Sequence, residues 1–222
     1  HLEIIIDRLT REFNAHVNIG KPRVVYRETI QKREERDGVF EKELGDRRHY
    51  GAVRLRLEPR ERGAGNEIVN SLDPAQVAEE FHQAVVEGVR EALFSGTVAG
   101  YPVIDVRITL LGGQHREGES SPLGYKIAAS TAFREGFAHA DPVLLEPVML
   151  VDILSPSEFM GEVIGDINAR RGEVQAIAPR GLISEIRAKV PLRAMFGYST
   201  DLRSATQGRA TFSMHFLEFG RS

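Results

Sequence analysis

Residues 45–51 read GDRRHYG, which sets Arg47, Arg48 and His49 between glycines and beside the ring of Tyr50. Residues 112–118 read GGQHREG and place Gln114, His115 and Arg116 at the end of an apolar alternation. Arginine forks bind phosphate bidentately, and rings or guanidinium planes stack on unpaired bases, so both stretches suit looped or single-stranded RNA. Glycine-flanked polar residues also make ordinary solvated hairpins, and spacing alone does not separate the two readings. Nor does it say whether the two stretches are neighbours in space. A third candidate is Arg170 and Arg171 in RRG, at an expected helix C-terminus where cations complement the helix dipole. Phe196 and Tyr198 in FGY are expected to pack in a core.

Patterns that would support catalysis are missing. The sequence holds no G-x-x-x-x-G-K-[ST] phosphate loop, no G-x-S-x-G, no H-E-x-x-H and no G-x-G-x-x-G. The GAG at 63–65 lacks the third glycine and a following helix. Zero cysteines remove disulfides, thiolate metal sites and cysteine nucleophiles together. None of the 7 histidines lies three or four residues from another, so no metal site is expected. His16, His49, His82 and His115 recur every 33 residues, but their flanks share nothing, which argues against a repeat. By motif the chain is no enzyme and needs no cofactor.

The 29 basic and 32 acidic residues give a net charge of −3, so any RNA contact has to be local. Hydrophobic content of 41% and charged content of 27% describe a globular chain and exclude intrinsic disorder. Apolar runs are far shorter than the roughly 20 residues of a membrane span. No secretory leader is visible; a cytoplasmic location is expected. The chain begins at His1 inside a helical pattern without methionine, as a piece of a longer protein would.

Two blocks of elements must position the candidate residues. Ile5, Leu9 and Phe13 mark a helix over 2–13, and strands follow from Val24 to Leu57, the clearest being AVRLRLE with Val53, Leu55 and Leu57 on one side. Asp73 and Pro74 predict a helix start, and Val77, Phe81, Val85, Val89 and Leu93 give its stripe before Gly96. Ile104, Val106, Ile108 and Leu110 predict a strand, and Ser121–Pro122 opens a helix to about Ala140. The second block reads as a strand over 143–154, a helix opened by Ser155–Pro156 and ended by Gly172, strands at 173–178 and 182–190, a helix from Pro191 to near Gly208, and a last strand with Phe212, Met214 and Phe216 inward. The order β-α-β-β-α-β is that of a ferredoxin-like plait. Gly161 and Gly165 in MGEVIGD lie four apart on the first of its helices, where a neighbouring segment could approach closely. The boundary falls near ADPVLLEP.

Longer strings then add up: HLEII-DRL-REF, GKP with V-YRETI, AGYPV-DV, EGF with PVLLEP, MG-VIGD-N-RRG, and VPL--MFGY-TDLRS-TQGR. In this order, and over essentially the whole chain, they resemble bacterial translation elongation factor G. The resemblance implies an α+β chain in three parts: the end of domain three (1–20), domain four with a ribosomal protein S5 domain 2-like fold (21–141), and domain five, the ferredoxin-like plait (142–222). It implies a parent that is a ribosome-dependent GTPase using GTP and Mg, with a nucleotide-binding domain that is not in this chain. Domain four of that family reaches into the small-subunit decoding site and supports translocation of tRNA and mRNA without bond chemistry. Domain five lies near ribosomal RNA and the stalk base. The implied partners are the ribosome, through rRNA, A-site tRNA, mRNA and stalk-base proteins; the protein is expected to be monomeric off the ribosome, with no membrane partner.

The resemblance places the RNA-contacting tip on the two arginine-bearing loops: Arg47, Arg48, His49, Tyr50, Gln114, His115 and Arg116, with Arg170 and Arg171 as contacts of the plait. Both loops depart from the family. Its first loop usually reads G-G-R-G-Q-Y-G, and here Asp46, Arg48 and His49 break that pattern while Gly45, Arg47, Tyr50 and Gly51 keep it. In the second loop, aligned without a gap, the family's tip histidine falls on Arg116, and a slip of one residue would return that place to His115; Gly113, Ser120 and Ser121 agree and Glu119 replaces an aspartate. These departures suggest a diverged second copy of the factor. A paralogue specialised for ribosome recycling, stress or ribosome protection is therefore the first alternative. A small-molecule-binding metabolic or regulatory module is the second.

Overall fold

The apolar face of AVRLRLE builds the first sheet. In the computed structural model, which describes residues 24–222, β3 (Arg47–Pro59) buries Val53, Leu55 and Leu57. Its opposite face turns Arg54 and Arg56 toward Glu35 and Asp37 of β2 (Glu34–Leu44). Hydrogen bonds from Arg56, Arg33 and Arg54 bring the Glu35 carboxyl down to about 2. Across β3 lies β5 (Val106–Gln114), and β4 (Glu67–Asn70) runs parallel to β5 at the sheet edge, giving the order β2-β3-β5-β4. Helices α1 (His82–Ser95) and α2 (Pro122–His139) cover the buried face, and Val85, Val89, Ala128, Ala132, Phe133 and Phe137 complete the core. The domain-three end expected at 1–20 and the helix expected at 2–13 lie outside the described residues.

The second sheet is the plait. β6 (Pro142–Pro156), β7 (Glu173–Arg180), β8 (Ile183–Pro191) and β9 (Thr211–Arg221) pair antiparallel in the order β9-β6-β8-β7. Helices α3 (Met160–Ala169) and α4 (Tyr198–Ala205) supply Val163, Ile167, Tyr198 and Leu202 to a core shared with Val151, Ile153, Ile186 and Val190. The chain is thus α+β, with the fold expected of each block.

Several boundaries differ from the sequence reading. Asp73 closes a turn, accepting from the Ala75 N–H at 2.9 Å, but Ala78 is extended (ψ 140°), so α1 starts only at His82. Val77, Phe81, Val85, Val89 and Leu93 are nonetheless all buried, because the turn and a short 3₁₀ segment carry the stripe forward. Asp105 adopts φ 58°, which ends the alternation before Val106; its carboxylate accepts from the Gly63 and Gly65 N–H groups and from Arg62. In the plait, the helix opened by Ser155–Pro156 begins at Met160 after a 3₁₀ turn. It ends at Ala169, and Arg171, at φ 59°, takes the left-handed position expected of Gly172. The helix expected from Pro191 is split at Gly197 (φ 78°) and shrinks to α4. Helices of 10 and 8 residues cannot roof the whole sheet. Phe212 packs on the core, but Met214 and Phe216 are 41% and 51% exposed, against the inward expectation.

The strand β1 (Arg27–Ile30) falls among those expected of the first block and instead joins the second sheet. It pairs with β6 over Arg27↔Leu145 to Ile30↔Pro142. Its own side chains hold the first block: the buried carboxylate of Glu28 accepts the N–H groups of Thr97, Val98, Ala99 and Tyr101 at 2.7–3.0 Å. Burial alone raises a carboxyl pKa, and these four hydrogen bonds outweigh it and hold Glu28 below its ordinary value.

An amide at this position turns one of the two acceptor oxygens into a donor that faces N–H groups. Glu28→Gln should cost about 1–3 kcal/mol at neutral pH, read from urea denaturation. The depressed pKa fixes the sign with pH. Glu28 stabilises the wild type above the unfolded carboxyl value, and that contribution is lost as pH falls through the lower folded value. The gap between variant and wild type should therefore close on acidification.

Candidate nucleic-acid interface

The turn between β2 and β3 has two residues, Gly45 and Asp46, flanked by the pair Leu44↔Arg47. Gly45 sits at φ 71°, the positive value that a tight hairpin of this kind requires at its first central residue. The hairpin end lies beside the 115–120 loop. The Tyr50 N–H donates to the Glu119 carbonyl at 2.9 Å, and the Ser121 N–H donates to the Tyr50 carbonyl at 3.1 Å. Behind them the backbones of β3 and α2 nearly touch: a Cβ on Gly51 would fall 2.2 Å from Gly124. The two stretches whose proximity spacing could not decide form one tip.

Each predicted residue now has a place. Arg47 is exposed beside the turn. Arg48 donates to Glu41 and lies 3.9 Å from Glu119. His49 is half-buried, its Nδ1 2.8 Å from the Ser121 Oγ, and that oxygen also accepts the Gly124 N–H to cap α2. Tyr50 is 1% exposed, with its hydroxyl donating to Gln114 Oε1 at 3.1 Å and the Arg116 guanidinium 4.0 Å above its ring. The ring is a floor for Arg116 and offers no open face to a base. Gln114 is exposed, and its carbonyl accepts the Tyr125 hydroxyl at 2.5 Å. His115 and Arg116 are both exposed and diverge: the His115 ring lies 5.7 Å from that of Phe81, while Arg116 crosses Tyr50 to reach Glu41 at 2.8 Å.

Sequence reasoning did not weigh the acids of the tip against its arginines. Residues 41–50 and 114–120 hold four cations (Lys42, Arg47, Arg48 and Arg116) and five carboxylates (Glu41, Glu43, Asp46, Glu117 and Glu119). The tip is nearly charge-balanced, although its arginines alone suggested an RNA-binding surface. The hydrogen bond from Arg116, reinforced by Arg48, holds the Glu41 carboxyl below the usual range. A count of charges over the whole hairpin could have shown the balance, but only the strand register and the loop crossing bring Glu41 to Arg116.

The plait candidates separate. Arg170 is committed inside the fold: it donates to Asp166, to the Ala194 carbonyl and to Asp201, and lies 5.0 Å over the Tyr198 ring. Arg171 is exposed. Tyr198 is buried as expected, whereas Phe196 is 45% exposed. Among the described residues no three His, Asp or Glu side chains are grouped to hold a metal, and no helix is long and apolar enough to cross a membrane.

With this geometry in place, comparison with known proteins is decisive. Residues 22–141 match the model of elongation factor G domain IV, and residues 143–222 match that of the elongation factor G C-terminus. The chain belongs to the elongation factor G family. It is 62% identical over 219 residues to "Elongation factor G 2" of Syntrophus aciditrophicus (strain SB), an alignment that covers 99% of this chain and 32% of that protein. A crystal structure from Thermus thermophilus superposes with a TM-score of 0.85 at 34% identity, over 100% of this chain and 33% of the other. The chain therefore spans about a third of the length of these relatives.

The double use of the Ser121 hydroxyl gives a clean test of how the tip is built. Ser121→Ala removes the α2 cap and the partner of His49 together, and should cost about 1 kcal/mol in urea denaturation. Amide exchange should quicken in the first turn of α2 and in 115–120 and stay unchanged in the plait.

Proposed function

We propose that this chain is the ribosome-binding arm of an elongation-factor-G-type GTPase, and that it promotes translocation of tRNA and mRNA by placing the tip in the small-subunit decoding site. The observation that carries the reading is the joining of the two loops into one tip, within a chain of this family. Arg47, Arg48, Gln114, His115 and Arg116 stand exposed there, and Tyr50 and His49 support them from below. Backbone hydrogen bonds fix the tip before any partner arrives, so little ordering entropy is lost on contact with RNA. GTP and Mg would act in a nucleotide-binding domain of the longer protein, and the residues of this arm would position RNA without making or breaking bonds. rRNA, A-site tRNA, mRNA and stalk-base proteins are the partners this reading assigns, in the cytoplasm, with a monomer off the ribosome. The partition at about residue 141 into domains IV and V belongs to the same reading, with Arg171 as an exposed arginine of the plait offered to RNA.

A second reading is favoured by the tip's composition. Asp46, Arg48 and His49 depart from the family's G-G-R-G-Q-Y-G, and the charge balance weakens any plain electrostatic grip. These features suit a paralogue that acts on ribosomes in recycling, stress or protection.

Full-length protein carrying Arg47→Ala, Arg48→Ala, His115→Ala and Arg116→Ala should translocate at least about tenfold more slowly, as expected when several charged contacts to a polyanion are lost. Its unfolding midpoint should stay close to wild type, since solvated surface changes usually cost under about 0.5 kcal/mol. Unchanged translocation would remove the tip from the mechanism. A wild type that splits ribosomes but does not translocate would establish the specialised paralogue instead.

A further inference from the structure

The arginines that would meet RNA phosphate already hold carboxylates. Glu41 accepts from Arg48 and, at 2.8 Å, from Arg116, so one carboxylate bridges two guanidinium groups from different loops. Glu119 also approaches both, 3.9 Å from Arg48 and 3.7 Å from Arg116. The four side chains form a neutral, closed ring of charge. A phosphate carries the same oxygen chemistry as the bridging carboxylate and would have to take its place. All four side chains are a third or more exposed, so each pair is screened by water and open to exchange. Arg116 has a second restraint, its stacking over Tyr50, which keeps its guanidinium plane in place when the acid lets go.

We propose that Glu41 is a built-in competitor for phosphate, an acid latch that keeps Arg48 and Arg116 closed on the protein until an RNA backbone displaces it. This deepens the tip reading given above and rests on it. The latch sets how strongly the tip holds RNA. It penalises loose, non-specific attachment to any polyanion, because each such contact must first open an ion pair. Only a site that positions its phosphates at both arginines together recovers the loss. Glu43 provides an internal contrast: it lies on the same strand, directly opposite Arg48 in the register, and no ion pair joins it to either arginine among the described residues.

Binding of the 222-residue chain to purified bacterial ribosomes, measured across a salt series, tests this. Glu41→Gln should bind about three- to tenfold tighter at low salt, and its plot of log affinity against log salt should steepen by about one to two, reflecting two released arginines. Glu119→Gln should shift in the same direction by less. Glu43→Gln, which alters net charge equally, should give clearly less than Glu41→Gln; an equal gain would mean general charge and overturn the latch. Arg48→Ala with Arg116→Ala separates the two layers. If that variant binds more weakly while Glu41→Gln is unchanged or weaker, the latch falls and the tip reading stands. If it binds like wild type, the tip reading falls and takes the latch with it.

Discussion

The near-contact of two backbones, Gly51 of β3 against Gly124 of α2, is the constraint on which the tip depends. A side chain on either residue would push helix and strand apart. With the helix that close, its capping residue Ser121 lies within reach of both the Tyr50 carbonyl and the His49 ring, and the preceding loop is drawn across β3. Tyr50 is then covered, Arg116 settles on its ring, and the two arginines arrive beside one carboxylate. The pre-formed surface follows from a packing distance, and the same packing explains why the tip is supported by buried rings while its polar groups stay in water.

Much of the fold was legible because alternation and four-residue stripes report directly which side chains leave water. Val53, Leu55 and Leu57 in β3, and Val85, Val89 and Leu93 in α1, are buried where those patterns put them. What escaped was decided by tertiary partners. Asp105 and Arg171 adopt positive φ without being glycine; for Asp105 the hydrogen bonds of the 63–65 loop reward the conformation, a gain invisible in local spacing. Met214 and Phe216 alternate like core residues, and their exposure depends on how far two short helices extend.

The candidate site was less legible than the fold. Colinear strings carried the family. The roles of individual residues were not readable: Tyr50 resembles a stacking platform in sequence and is a buried support in space, and Arg170 resembles a surface cation and is an internal clamp among α3, α4 and the 3₁₀ turn that precedes α4. The acids Glu41 and Glu119 are 78 positions apart in the chain, and nothing local links them to each other or to the same two arginines.

The pairing of β1 with the start of β6 has a mechanical meaning. The chain leaves the first block through Ala140 and Asp141 and enters the plait at Pro142, the natural place for a hinge. Yet Ala140 accepts the N–H groups of Gln31 and Lys32, and the next residues are zipped to β1. Bending there would break either the β1–β6 pairing or the bonds of Ala140 and Glu28 that tie β1 to the first block. Reorienting the plait against the first block therefore costs hydrogen bonds at this joint, which acts less as a free hinge than as a weld.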